Sequence, residues 1–310
     1  MDVPLAEAAR AWAAWMGPMS LQVGALVGLF WIVDRLAGPR LWPCVRLAAW
    51  SLLLAKLLLP PTLASPVGLV RLFDFGAGLP EVVGDAGDRL PATGRAPTGL
   101  LLAFGLWALG VLLFGSLRVL RVVRFRRGVA REAGRVEPRV RRELARAARR
   151  IGLKRLPRVL STSRCDGPAV YGVFRPVLLL PEGFGKASPG EARFALLHEL
   201  AHLRRRDPLL ASLAAAIEVL YWFHPLVRVA TRRIAALLEL ACDETVAGLL
   251  RKETPRYRDA LLLAASRWIG PSPASLAFHG RPANLLARLT WLERPGSAGA
   301  GLRRVAAACV

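Results

Sequence analysis

The sequence predicts a mainly α-helical integral-membrane protein: three N-terminal transmembrane helices, then a cytoplasmic α+β domain with a small sheet and a helical hairpin. Three observations predict this. Long charge-free apolar runs recur in the first 120 residues, a dense arginine run follows them, and a short β-branched stretch bracketed by Gly and Pro precedes further helical segments. The 310 residues are 54% hydrophobic, with a mean hydropathy of +0.37, yet carry 44 Lys+Arg against 22 Asp+Glu, a net charge of +22. Apolarity and charge this high together require segregation, with apolar segments in a bilayer and basic ones outside it. Cys44, Cys165, Cys242 and Cys309 lie far apart without C-x-x-C spacing, which excludes a disulfide framework and a cysteine-rich zinc site as organising features. No cleavable signal peptide is evident, because Asp2 and Glu7 sit in the first ten residues and no A-x-A site follows a short apolar core.

Residues 11–33 are free of charge and long enough to span. Residues 41–60 form a second span, with Arg46 and Lys56 near its ends where they snorkel to the interface, and Pro60-Pro61 closes it. Residues 96–117 form the third. Orientation follows the basic residues. Arg35 and Arg40 follow the first span, the 61–95 loop holds more acids (Asp74, Glu81, Asp85, Asp88) than bases, and residues 118–150 carry thirteen arginines against three glutamates. Arginine-rich flanks stay in the cytoplasm, so the N-terminus and the 61–95 loop are expected outside and the chain from about 118 inside. Juxtamembrane arginines read first as contacts to lipid headgroups. Without a reading motif or an interleaved aromatic platform, direct nucleic-acid binding is not expected.

A basic helix is predicted over 139–151 and two or three short strands over 157–180, with Pro176 marking an edge or a hairpin. Ser188-Pro189-Gly190-Glu191 reads as a helix start with a capping box, and the helix ends near Asp207-Pro208. A helical hairpin is expected over 208–238, turning at His224-Pro225, with both ends cytoplasmic. Its second arm continues to about Leu250, and Thr254-Pro255 opens a further helix to about Trp268. Beyond 270 only a short amphipathic stretch near 282–294 stands out. The domain limits are 1–120 for the membrane region, 121–270 for the cytoplasmic domain and 271–310 for a C-terminal segment. The last six residues, Val305 to Val310, read as the start of another span.

The most informative residues are His198-Glu199-Leu200-Ala201-His202. Two histidines four apart on a helix project from one face and can grip one metal ion, while the glutamate between them is free to act on a water at that metal. That is the layout of a zinc hydrolase, set against a chance polar patch on a surface helix. Zinc needs a third protein ligand and an open position. With only His224 and His279 left, a carboxylate is favoured. The hairpin arms 203–224 and 225–238 are about 33 Å and 21 Å long, and bends at Pro208 and Pro225 bring Glu239 back level with His202. On residues alone, Glu239 reads equally as ligand or as solvated helix charge. Asp243, one turn on, is placed to hydrogen-bond a ligand histidine and fix its tautomer. Cys242 reads as buried packing, and His224 as a turn residue.

His198-Glu199-Leu200-Ala201-His202 with Arg205 and Asp207, then Trp222-Phe223-His224-Pro225, then Glu239-Leu240-Ala241-Cys242-Asp243, resembles the BlaR/MecR-type integral-membrane zinc peptidases. Upstream, Gly172-Val173-Phe174-Arg175-Pro176 before a Leu run and Pro181 fits as well. The resemblance covers about residues 15–290. It implies an N-out membrane bundle in the bacterial inner membrane and a cytoplasmic-facing gluzincin-like domain. It also implies one Zn2+ held by His198, His202 and Glu239, with Glu199 as general base. The implied role is signalling, in which the peptidase cuts itself or a cytoplasmic transcriptional repressor. The alternative is a catalytically silent membrane scaffold retaining a structural metal. His224 stands where that family commonly has Asn, and no S-x-x-K acylation motif is present, so β-lactam sensing is not expected.

Overall fold

The computed structural model describes residues 3–59, 97–267 and 285–294. The 61–95 loop, His279 and the stretch 305–310 lie outside the described residues. The protein is mainly helical, with one three-stranded sheet. Two long helices, α1 (Val3–Leu36) and α3 (Thr98–Glu132), come before the sheet, separated by α2 (Pro43–Leu58). Residues Pro4–Leu36 and Thr98–Glu132 are each long and apolar enough to cross a membrane. The run predicted over 41–60 is a 16-residue helix, shorter than those two. Along α3, Leu102, Leu106, Leu109, Leu112 and Leu113 face outward. An apolar helix with its leucines exposed is suited to lipid rather than to water. The first part of the arginine run, Arg118 to Arg131, lies on α3, which continues to Glu132.

Past α3 come α4 (Pro138–Ile151), β1 (Arg158–Thr162), β2 (Ala169–Tyr171), β3 (Val177–Pro181), α5 (Pro189–Arg204), α6 (Asp207–Leu220), α7 (Pro225–Leu250), α8 (Thr254–Arg267) and α9 (Leu285–Leu292). The sheet order is β1-β3-β2, with β1 parallel and β2 antiparallel to β3. Pro176 lies in the β2–β3 hairpin, just before the central strand, not on an edge strand. Its missing N–H costs nothing there because the ladder begins at Val177. Gly172 at φ 91 makes the turn, and a Cβ there would lie 2.9 Å from the Arg175 carbonyl oxygen.

The described residues fall into two compact units. The first takes in residues 1–40, 49–118 and 215–231. Trp12 packs against Phe104 and Trp107, and Phe30 meets Trp50 edge-on. The tip of the α6–α7 hairpin belongs to this unit. Trp222 lies against Gly110, where a Cβ would come 2.2 Å from its indole, and its Nε1 donates to the Trp107 carbonyl at 3.3 Å. Trp107 Nε1 donates back to Leu220 O, Tyr221 OH donates to Leu57 O, and His224 Nε2 meets Ser20 O at 3.1 Å. These bonds give His224 a structural task at the turn.

The second unit takes in residues 41–48, 119–214 and the described part of 232–310. Its sheet packs on the end of α3, where Val129 and Phe125 meet Leu179, Cys165 and Tyr171. Helix α5 starts as predicted. Ser188 accepts from Glu191 N at 3.3 Å, Glu191 accepts from Ser188 N at 3.0 Å, and Pro189 takes the first turn. The helix buries Phe194, Leu196, Leu197, Leu200 and Ala201 and ends at Arg204, with Arg206 at φ 59 turning the chain into α6.

Candidate metal centre

The centre is built in the second unit by α5, α7, α8 and α9. The i, i+4 spacing on α5 sets the His198 and His202 rings 4.9 Å apart and perpendicular. Helix α7 carries Glu239 to the same place. Its Oε2 lies 3.3 Å from His198 Nε2 and its Oε1 lies 3.6 Å from His202 Nε2. Each imidazole presents its Nε2 to the carboxylate because its Nδ1 is engaged elsewhere. His202 Nδ1 donates to Asp207 Oδ2 at 2.8 Å, and Asp207 in turn accepts from Arg205 Nε at 3.2 Å. His198 Nδ1 meets Tyr257 OH at 2.8 Å, and Tyr257 passes its own hydrogen to Asp243 Oδ1 at 2.6 Å. Asp243 Oδ1 also lies 3.4 Å from His198 Nδ1, too long for a good direct bond beside the tyrosine route.

A fourth element closes the centre. Arg288 on α9 grips Asp243 with Nε at 2.6 Å and Nη2 at 2.8 Å, and its Nη1 lies 3.1 Å from Glu239 Oε2. Asp243 is fully buried, and Arg288 only 14% exposed. Burial opposes ionisation of Asp243, but Arg288 and the hydrogen bonds around it hold its carboxyl down to about 2. Glu239 is likewise held well below the usual carboxylate range, against burial, chiefly by Arg288 and then by the bond to His198. Glu199 goes the other way. Burial pushes its carboxyl up, only partly offset by His202 and His198.

The donor chemistry fits a zinc ion: two imidazole Nε2 atoms and a carboxylate face one another, with each imidazole held from behind. Among the described residues, His198, His202 and Cys242 form a group that could hold a metal ion, with ligand atoms within 4.8 Å of one another. Cys242 is fully buried, and its thiol donates to the His198 carbonyl at 3.1 Å. Glu239 also faces both rings, with one oxygen toward each Nε2.

The model of the BlaR1 peptidase M56 family matches residues 90–292, more than half of the chain. The chain belongs to this family. Among its M56 relatives, the regulatory protein BlaR1 of Bacillus licheniformis is 31% identical over 122 residues, covering 39% of this chain and 19% of that protein. The methicillin resistance mecR1 proteins of Staphylococcus aureus and Staphylococcus epidermidis are 27% identical over 103 residues, covering 33% of this chain and 18% of each. The matches thus span about a fifth of the length of these relatives.

Of the residues singled out in the sequence, His198, His202, Glu239 and Asp243 meet in this cluster, and Glu199 feels the charges of His198, His202 and Glu239. Asp207 and Arg205 stood in the motif without a task, and they brace His202. Tyr257 and Arg288 carried no signal. Neither lies in the motif, and Arg288 comes from the stretch read only as amphipathic.

Proposed function

We propose that this chain is a membrane-embedded zinc endopeptidase that cleaves itself or a cytoplasmic regulatory protein, a transcriptional repressor among the candidates, in a transmembrane signalling pathway. The observation that carries the proposal is the meeting of His198 Nε2 and His202 Nε2 with the two oxygens of Glu239 beside the raised carboxyl of Glu199. In this reading His198, His202 and Glu239 hold one Zn2+, and Asp243 stands behind them. When bound, the zinc acidifies a water and polarises the scissile carbonyl. Glu199, whose burial brings its proton affinity closer to neutrality, takes the proton of the attacking water and delivers it to the leaving amine. Strand β2, at one edge of the sheet, offers backbone groups to an extended substrate by strand addition.

The membrane part of the reading is an N-out, three-span region over 1–120 in the bacterial inner membrane, with the peptidase domain of 121–270 in the cytoplasm. Supporting it are the helices at all three apolar runs, the outward leucines of α3 and its arginine-rich continuation. The test uses purified full-length protein and membranes from cells expressing wild type or Glu199→Gln. One zinc per chain is expected, together with a cleavage fragment that vanishes in the variant. Absence of stoichiometric zinc, or equal cleavage by the variant, rejects the reading. Chelation that lowers thermal stability without stopping any proteolysis selects the silent scaffold instead.

A further inference from the structure

We infer that Arg288 is a positioning residue of the metal centre. By bridging Asp243 and Glu239 it fixes the carboxylate of Glu239 in the orientation that faces both histidines. The inference deepens the metallopeptidase reading and rests on it.

Glu239 and Asp243 are one helical turn apart on the same face of α7, and both are buried or nearly so, with side chains 17% and 0% exposed. Two carboxylates in that relation repel each other. A metal held by Glu239 would compensate Glu239, whereas the hydrogen bonds that Asp243 accepts come from Tyr257 and Arg288. Arg288 answers both needs with one planar group. Nε and Nη2 form the bidentate grip on Asp243, and Nη1 is left to meet Glu239 Oε2. A guanidinium grips one carboxylate with two parallel donors and keeps a further donor in the same plane for the second, whereas an ammonium has three donors but no such fork. The helix that delivers Arg288 is anchored apart from this contact. Glu293 pairs with Arg258 at 3.3 Å, Trp291 meets Trp42 edge-on, and Trp291 and Leu292 are buried.

One further contact sharpens the claim. Arg288 Nη2 lies 3.4 Å from His198 Nε2, the atom that faces the metal position in this reading. A cationic side chain so close to a cation site has two opposite meanings. As a positioning residue it raises metal affinity by holding the ligand carboxylate still. As a plug it competes with the metal and lowers affinity. Removing it therefore moves zinc binding in opposite directions under the two roles.

The test measures zinc affinity by chelator competition, and the visible spectrum of the cobalt-substituted protein, on the full chain in detergent. Arg288→Gln is expected to bind zinc ~10–100-fold more weakly than wild type and to shift the cobalt bands, with Arg288→Lys in between. A folded Arg288→Gln protein that binds zinc as tightly as wild type, or more tightly, overturns the inference. If Arg288→Gln does not fold, Arg288→Lys, which keeps a charge for Asp243, carries the test with the same sign and the same overturning result. A wild-type chain that binds no zinc fails the metallopeptidase reading and takes this inference with it. Wild-type binding with unaffected variants fails the inference alone.

Discussion

His202 and His198 are neighbours on one helix, yet the chain braces them by different routes. His202 Nδ1 leans on Asp207, five residues on, and Asp207 on Arg205 beside it, so this contact lies within one helix end and the turn after it. His198 leans on Tyr257, Asp243 and Arg288, which are 59, 45 and 90 residues away and belong to three other helices. The first brace forms when α5 and its turn form. The second exists only once α7, α8 and α9 have packed against α5. Chemically the two share an imidazole, an acid and an arginine, with the Tyr257 hydroxyl interposed between imidazole and acid in the second. They differ in what the chain must assemble first, so the second ties the metal position to the packing of the whole unit.

Asp243→Asn is the strongest way to break this contrast. It removes the anion that a largely buried Arg288 grips with two donors and leaves it Glu239 alone, and the expected loss of stability is about 3–5 kcal/mol by chemical denaturation. A loss no greater than that of Asp207→Asn removes the distinction. The pH dependence comes next. Asp243 is held from 3.8 down to about 2, so its contribution is complete above the unfolded value and disappears as pH falls through the folded one. Wild type is expected to lose on the order of 2 kcal/mol between about pH 4 and pH 2 that Asp243→Asn does not lose. Denaturation curves at several acid pH values check this.

Asp207→Asn keeps an oxygen for His202 but loses charge, and Arg205 meets Asp207 only through Nε, at 3.2 and 3.3 Å, rather than by a bidentate grip. A stability cost of about 1–2 kcal/mol is expected, with zinc affinity reduced within the ~10–100-fold range of such outer contacts. Tyr257→Phe has the smallest expected effect, about 1 kcal/mol, and separates the tyrosine relay from a direct Asp243–His198 contact. Unchanged zinc affinity in that variant assigns the work to Asp243 alone.

The same contrast explains what was legible in the sequence. Helical periodicity gave α5, its capping box and the shared face of His198 and His202, because those features depend on residues within one or two turns. Charge-free length gave α1 and α3. Asp243 was found because it lies one turn from Glu239. Tyr257 and Arg288 are joined to the site only by packing between helices, which leaves no periodic trace. Pro176 marks the β2–β3 hairpin, as its missing N–H predicts, but not the central place of β3. A proline limits the strand it sits in, but which strand becomes central is set by pairing with distant β1, and β3 begins one residue too late for the proline to matter.

The hairpin tip carries a practical consequence. Residues 215–231 lie in sequence between His202 and Glu239, yet they cluster with residues 1–40 and 49–118, through Trp222 on Gly110, Tyr221 on Leu57 and His224 on Ser20. Any fragment that keeps both histidines and the glutamate keeps this segment too. Cutting away the first 118 residues would strip the tip of its packing partners and leave Trp222 and Tyr221 bare. A water-soluble peptidase fragment therefore cannot be made by trimming the N-terminus alone; it also requires redesigning the tip.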